Sequence, residues 1–177
     1  MKFHNILEEV FGTPERIKIL RVLASYPKEF TSRELAAHTG VSVRHQDIFS
    51  LFERHGFVKS HRVGKSITWK INREHYLVRS LIRPVIEAER NLMHALKREI
   101  SAVVRKYPIQ RVIVYSSVAR GDERSDSDLD LALLVKRRDR WIEQLEGELR
   151  DRISRRFGNT LSILVYQPLV QEGERCS

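Results

Sequence analysis

Cysteine is nearly missing from this chain. The single one, Cys176, stands beside the last residue, so no internal disulfide can form and a reducing, intracellular setting is the expectation. Long apolar runs are missing as well. No stretch approaches the ~18 residues a membrane-crossing helix needs, and the first residues lack the basic-then-apolar pattern of a signal segment. No membrane partner is therefore expected, and a cytoplasmic location is. The seven histidines show no H-x-x-x-H spacing, which argues against a zinc site. Acid is in deficit: 32 Lys+Arg face 23 Asp+Glu, for a net charge of +9.

What is present is an ordinary folding composition, 41% apolar and 31% charged, enough to bury a core and an argument against disorder. The positive excess is uneven. Residues 1–83 carry +7 and the remainder only +2, so the attraction for a polyanion, most often nucleic acid, belongs to the N-terminal half.

That half begins with Thr13-Pro14, a cap followed by a proline suited to a first helical turn, before an apolar face of Ile17, Leu20, Val22 and Leu23. Thr31 and Glu34 have capping-box spacing ahead of a second short helix. Thr39-Gly40 turns the chain, Ser42 is expected to cap a third helix, and Ile48, Leu51, Phe52 and His55 share one of its faces before Gly56 ends it. From Phe57 to Ile71 the period changes to two strands joined at Gly64-Lys65. Three helices with a tight turn before the third, then a basic hairpin, resemble a winged helix-turn-helix over roughly residues 10–75. Double-stranded DNA is the implied partner. Arg44, Gln46 and Ser50 would face base edges, and Lys59, Arg62 and Lys65 phosphates; the alternative is a winged fold used for protein contacts. His45 and His55 fall beside the apolar face and read as core-edge residues.

Asn72 is expected to cap a further helical stretch, interrupted at Pro84 and resuming to about Lys106, with apolar residues at helical spacing that could form a homodimer seam. Beyond Tyr107-Pro108 the chain reads strand, loop, strand, helix (Trp141 to about Phe157), turn and strand (Leu161–Tyr166). The expected architecture is α+β: a winged domain at 1–75, a helical linker at 76–107, and an α/β domain with a small mixed sheet at 108–177.

The chemistry sits in SSVARGDERSDSDLD. A strand projects residues i and i+2 from one face, so Asp128 and Asp130 point together while Leu129, Leu131 and Leu133 point away. Two neighbouring carboxylates repel unless a cation sits between them, and oxygen ligands suit a hard ion such as Mg²⁺. Ser116-Ser117, just after a strand, can offer hydroxyls and amides to a phosphate. With ten residues between Ser117 and Asp128 and A-R-G at 119–121, the stretch resembles the minimal nucleotidyltransferases of the DNA polymerase β-like superfamily.

That resemblance implies metal-binding, catalytic roles for Asp128 and Asp130. It also implies nucleotide contacts from Ser116, Ser117, Arg120 and Gly121, an NTP such as ATP with Mg²⁺, and for some members a HEPN-type toxin or other protein as acceptor. Two positions depart from the pattern. Ser116 replaces the motif glycine, and Ser162 stands where a third carboxylate would activate the attacking hydroxyl. Two functions follow. One is a DNA-binding transcriptional regulator whose nucleotidyltransferase-like domain binds Mg-nucleotide with catalysis weak or lost. The other is an active nucleotidyltransferase, modifying a protein or small molecule, with DNA-binding autoregulation.

Overall fold

A computed structural model describes residues 5–42, 46–115 and 128–168. The chain divides into two compact units, Met1–Asn91 and Leu92–Ser177. No helix among the described residues is long and apolar enough to cross a membrane. Arg44, His45, Ser116, Ser117, Arg120 and Gly121 lie outside the described residues.

The first unit opens with α1 (Ile6–Phe11) and α2 (Pro14–Ser25). Thr13 accepts a hydrogen bond from the Arg16 amide at 3.3 Å, satisfying one orphan donor of the first turn. Gly12 between them has no room for a side chain, because a Cβ would lie 2.0 Å from the Glu8 carbonyl oxygen. β1 (Phe30–Thr31) leads into α3 (Ser32–Thr39), which starts with the full Thr31/Glu34 capping box and ends at Gly40 in the left-handed conformation. α4 (Gln46–Arg54) follows, then the hairpin β2 (Val58–Val63) and β3 (Ser66–Ile71).

The sheet order is β1-β3-β2, antiparallel throughout. Leu20, Leu23, Phe30, Leu35, Phe52 and Phe57 fill the core between helices and sheet. Each such side chain contributes about 1.5–3 kcal/mol on burial. Phe49 of α4 stacks on Trp69 of β3, with centroids 4.8 Å apart. This is a winged helix-turn-helix, as its sequence suggested. The short strand β1 is an addition that a two-residue element could not announce.

Asn72 does not cap a helix. Its side-chain amide donates to the Gly56 carbonyl at 2.9 Å and its backbone N–H to Phe57 at 2.8 Å, tying the end of the hairpin to the end of α4. A π-helical turn (Val78–Ile82) and α5 (Arg83–Arg90) come next, with Pro84 in the first turn of α5 where its missing N–H costs nothing. The break falls at Asn91 instead, and α6 (Leu92–Val104) begins the second unit. The stretch expected as one helix from Pro84 to Lys106 is instead two: Ile86 joins the first core, and Leu96, Ile100 and Val103 the second, while Val85 and Leu92 stay exposed.

The second unit continues with β4 (Ile109–Val114), β5 (Leu129–Val135), α7 (Trp141–Phe157) and β6 (Leu161–Tyr166). The sheet order is β4-β5-β6, with β4 antiparallel and β6 parallel to β5. α7 supplies the crossover that a parallel pair requires. Leu129, Leu131 and Leu133 pack against Leu96, Ile100 and Val103 of α6 and Leu145, Leu149 and Ile153 of α7. A register shift between Ile109 and Arg111 brings Ile109 opposite Val135 and lets it pack with that core.

The other face of this sheet carries three cross-strand rows. Tyr115, Asp130 and Ser162 form the first; Ile113, Ala132 and Leu164 the second; Arg111, Leu134 and Tyr166 the third. The two faces differ sharply in burial, so they should differ in mutational cost. Leu131→Ala, which empties a fully buried site, is expected to destabilise the second unit by about 3 kcal/mol. Leu164→Ala on the other face should cost less than about 1 kcal/mol. Urea denaturation followed by circular dichroism compares them.

Candidate functional site

Two surfaces carry the candidate residues, one on each unit. On the second unit, burial along β5 alternates residue by residue, with Leu129, Leu131, Leu133 and Val135 buried. That alternation puts Asp130, half-buried, on the face opposite the helices, and Asp128, exposed, immediately ahead of the strand. The Tyr115 amide donates to the Asp130 carbonyl at 3.2 Å, which fixes β4 and β5 in register at this point. On the other side, Asp130 pairs with Ser162 of β6.

Neither Asp128 nor Asp130 forms an ion pair among the described residues. Nor do those residues contain a cluster of three or more His, Cys, Asp or Glu able to hold a metal. Two carboxylates without a protein cation fit a hard divalent ion that takes its remaining ligands from phosphates and water. They do not form a self-sufficient metal cage.

The flanking aromatics were not singled out by sequence reasoning. Tyr115 and Tyr166 are 42% and 56% exposed, with Ile113 at 48% and Leu164 at 45% on the same face. Burial raises the Tyr115 phenol above its ordinary range, and the Asp130 carboxylate and then Tyr166 push it further the same way. The strand period contained the signal. Arg111, Ile113 and Tyr115 alternate, but two of the three are large and apolar, so the outward face did not read as polar.

On the first unit, Gln46 opens α4 and Ser50 is exposed on it. The hairpin residues Lys59, Arg62 and Lys65 are also exposed, yet they do not form one patch. Ser60 and Arg62 lie opposite Trp69 and Ile67 respectively, on the hairpin face that meets α4; Ser60 there donates its hydroxyl to Glu53 of α4. Lys59 lies opposite Lys70 on the reverse face and pairs with Glu74 at 3.1 Å. Arg62, with Lys65 at the turn, thus belongs with α4, and Lys59 does not. His55 is a core residue, 7% exposed, contacting Glu9 and stacked on Phe57.

The basic residues of α7 are committed within the unit. Arg152 and Arg156 grip the two oxygens of Glu99 at 2.7 and 2.5 Å, Arg150 pairs with Glu146 at 3.2 Å, and Arg155 with Asp151 at 2.8 Å.

Residues 98–171 match the family model described as "Polymerase beta, Nucleotidyltransferase". That segment is a nucleotidyltransferase domain of this family, and it follows a winged helix-turn-helix. Among solved structures, the chain is similar to a predicted DNA-binding transcriptional regulator from E. coli, at 22% identity over 49% of this chain and 84% of that one, with a TM-score of 0.39. It is also similar to the homodimeric winged helix-turn-helix DNA-binding domain Mb0332 from Mycobacterium bovis, at 20% identity over 48% of this chain and 76% of that one, with a TM-score of 0.39. A third similarity, to the archaeal chromatin protein TrmBL2, covers 90% of this chain and 65% of that one at 22% identity, with a TM-score of 0.33. No curated protein sequence matches the chain.

The Glu99 cluster makes a pH prediction. Hydrogen bonds from Arg152 and then Arg156 hold the Glu99 carboxyl below the usual carboxylate range. A depressed folded-state value stabilises the protein above the unfolded value of about 4.3 and loses that contribution as pH falls through the folded one. Glu99→Gln should therefore be less stable than wild type at pH 7, with the gap closing below about pH 4. Urea midpoints across a pH series measure it.

Proposed function

We propose that this protein is a DNA-binding regulator whose nucleotidyltransferase domain binds a Mg²⁺–nucleoside triphosphate as a signal and transfers nucleotidyl groups slowly or not at all. The observation that carries this reading is the row Tyr115, Asp130, Ser162. Asp130 has a serine as its neighbour on β6, where the resemblance calls for a third carboxylate. Serine is neither a base at neutral pH nor a charged metal ligand.

Asp128 and Asp130 would hold the ion, which when bound neutralises charge on the phosphates. Positioning and neutralisation are most of what nucleotidyl transfer asks of a protein, so binding can outlast an acceptor-activating base. Ser117, Arg120 and Gly121 are proposed as phosphate contacts, with Ser116 weakening the approach because it adds a Cβ where the motif has glycine. In the first unit, Arg44, Gln46 and Ser50 are proposed to meet base edges in the major groove, and Arg62 and Lys65 the backbone.

A second reading, an active enzyme that modifies a HEPN-type toxin or other acceptor, is favoured by one fact. Both carboxylates remain without a cationic partner among the described residues, available to a metal.

Two measurements test the proposal. Titration calorimetry with Mg²⁺ and ATP should detect binding that Asp128→Asn/Asp130→Asn abolishes, while incubation with labelled ATP and lysate should label no acceptor. A labelled acceptor lost in that double variant would establish the enzyme instead. Binding to the upstream DNA of its own gene should weaken as salt rises, and Arg62→Ala/Lys65→Ala should reduce the log–log salt slope by about 2. Lys59→Ala, paired with Glu74 on the reverse face, should change the slope by less than half of one contact's worth.

A further inference from the structure

The three rows on the open face of the second sheet are not chemically alike, and their order runs in one direction. The first row holds Asp130 with Tyr115 and Ser162 beside it. The second has the smallest side chain of the face, Ala132, between the larger Ile113 and Leu164. The third has Tyr166 and Arg111 on either side of Leu134. Same-face residues on a strand are roughly 7 Å apart, so the third row lies about 13 Å along the strand from the carboxylate.

Alanine between two branched side chains leaves a shallow trough over the middle of the sheet. It lies one row along from Asp130 and is closed beyond by Leu134. At its far end Tyr166 presents a ring that is more than half exposed, and Arg111 a guanidinium without an ion pair among the described residues. Tyr115 borders the near end. Polar and charged at one end, apolar in the middle and aromatic with a cation at the other is the order of groups in a nucleotide, from metal-bound phosphates through sugar to base.

We propose that the nucleoside of the bound triphosphate lies along this trough, with its sugar over Ala132 and its base stacked on Tyr166 beside Arg111. The proposal rests on the nucleotide-binding reading above and adds to it the means by which the site tells a nucleotide from bare polyphosphate. A base stacked on an aromatic ring is typically worth a factor of about 5 to 150 in affinity. An arginine across the row adds donors for acceptors on the base edge. Leu164 and Ile113 wall the trough, which accounts for large apolar side chains standing in solvent next to a charged site.

The test uses the full chain and two probes, Mg·ATP and Mg²⁺ with inorganic tripolyphosphate, in titration calorimetry. Wild type should bind ATP at least tenfold more tightly than tripolyphosphate. Tyr166→Ala and Ala132→Leu, which removes the ring in one case and fills the trough in the other, should each weaken ATP about tenfold and leave tripolyphosphate unchanged. Tyr166→Phe should keep wild-type affinity, since stacking needs the ring and not the hydroxyl.

The proposal is overturned if ATP and tripolyphosphate bind wild type equally, or if both variants bind ATP as wild type does. It is also overturned if light scattering finds a dimer that Leu164→Asp separates while ATP affinity stays the same, because the face then belongs to a second copy. If neither probe binds in a way that depends on Asp128 and Asp130, the failure is that of the nucleotide site itself.

Discussion

The alternation of β5 is the constraint on which the second unit depends. Leu129, Leu131 and Leu133 are driven inward against α6 and α7, Val135 is buried as well, and a strand whose period is two has no freedom left for the residues between them. Asp130 must then face outward, with Asp128 exposed just ahead of the strand. Core packing thus sets the position of the charged site. A one-residue slip of the register would bury a carboxylate and expose four large apolar side chains, a cost of many kcal/mol that no single ligand could offset.

The first unit solves a parallel problem with aromatic packing. Phe49 on Trp69 and the Asn72 bridge from hairpin to α4 fix the wing against the third helix. Basic groups on the face toward α4 are thereby separated from those on the reverse. Of the hairpin cations, Arg62 lies on the face toward α4 and Lys65 at the turn, and Lys59 is held by Glu74 on the reverse. Net charge alone does not make that distinction, because it counts all three alike.

Much of this was legible in the chain. Caps at Thr13 and Thr31, the glycine turns and the helix Trp141–Phe157 appear where their chemistry requires them, because each is a local rule obeyed locally. The architecture followed from period changes and from the spacing between Ser117 and Asp128. The illegible parts depend on tertiary partners. Asn72 carries the residue type of a helix cap but finds better acceptors across the fold at Gly56. The helix expected to run from Pro84 to Lys106 divides at Asn91 because its two halves bury their apolar residues in different cores. The tyrosines on the open face escaped notice for a related reason: outward-pointing aromatics look like core until the opposite face is seen to be full.

If the proposed nucleotide acts as a signal to the DNA-binding unit, its binding and that of DNA are coupled, and linkage makes the coupling reciprocal. The most direct measurement is the affinity for operator DNA at fixed salt, with and without saturating Mg·ATP. A shift of at least fivefold is expected in wild type and none in Asp128→Asn/Asp130→Asn. An affinity that is the same with and without nucleotide in wild type would contradict it.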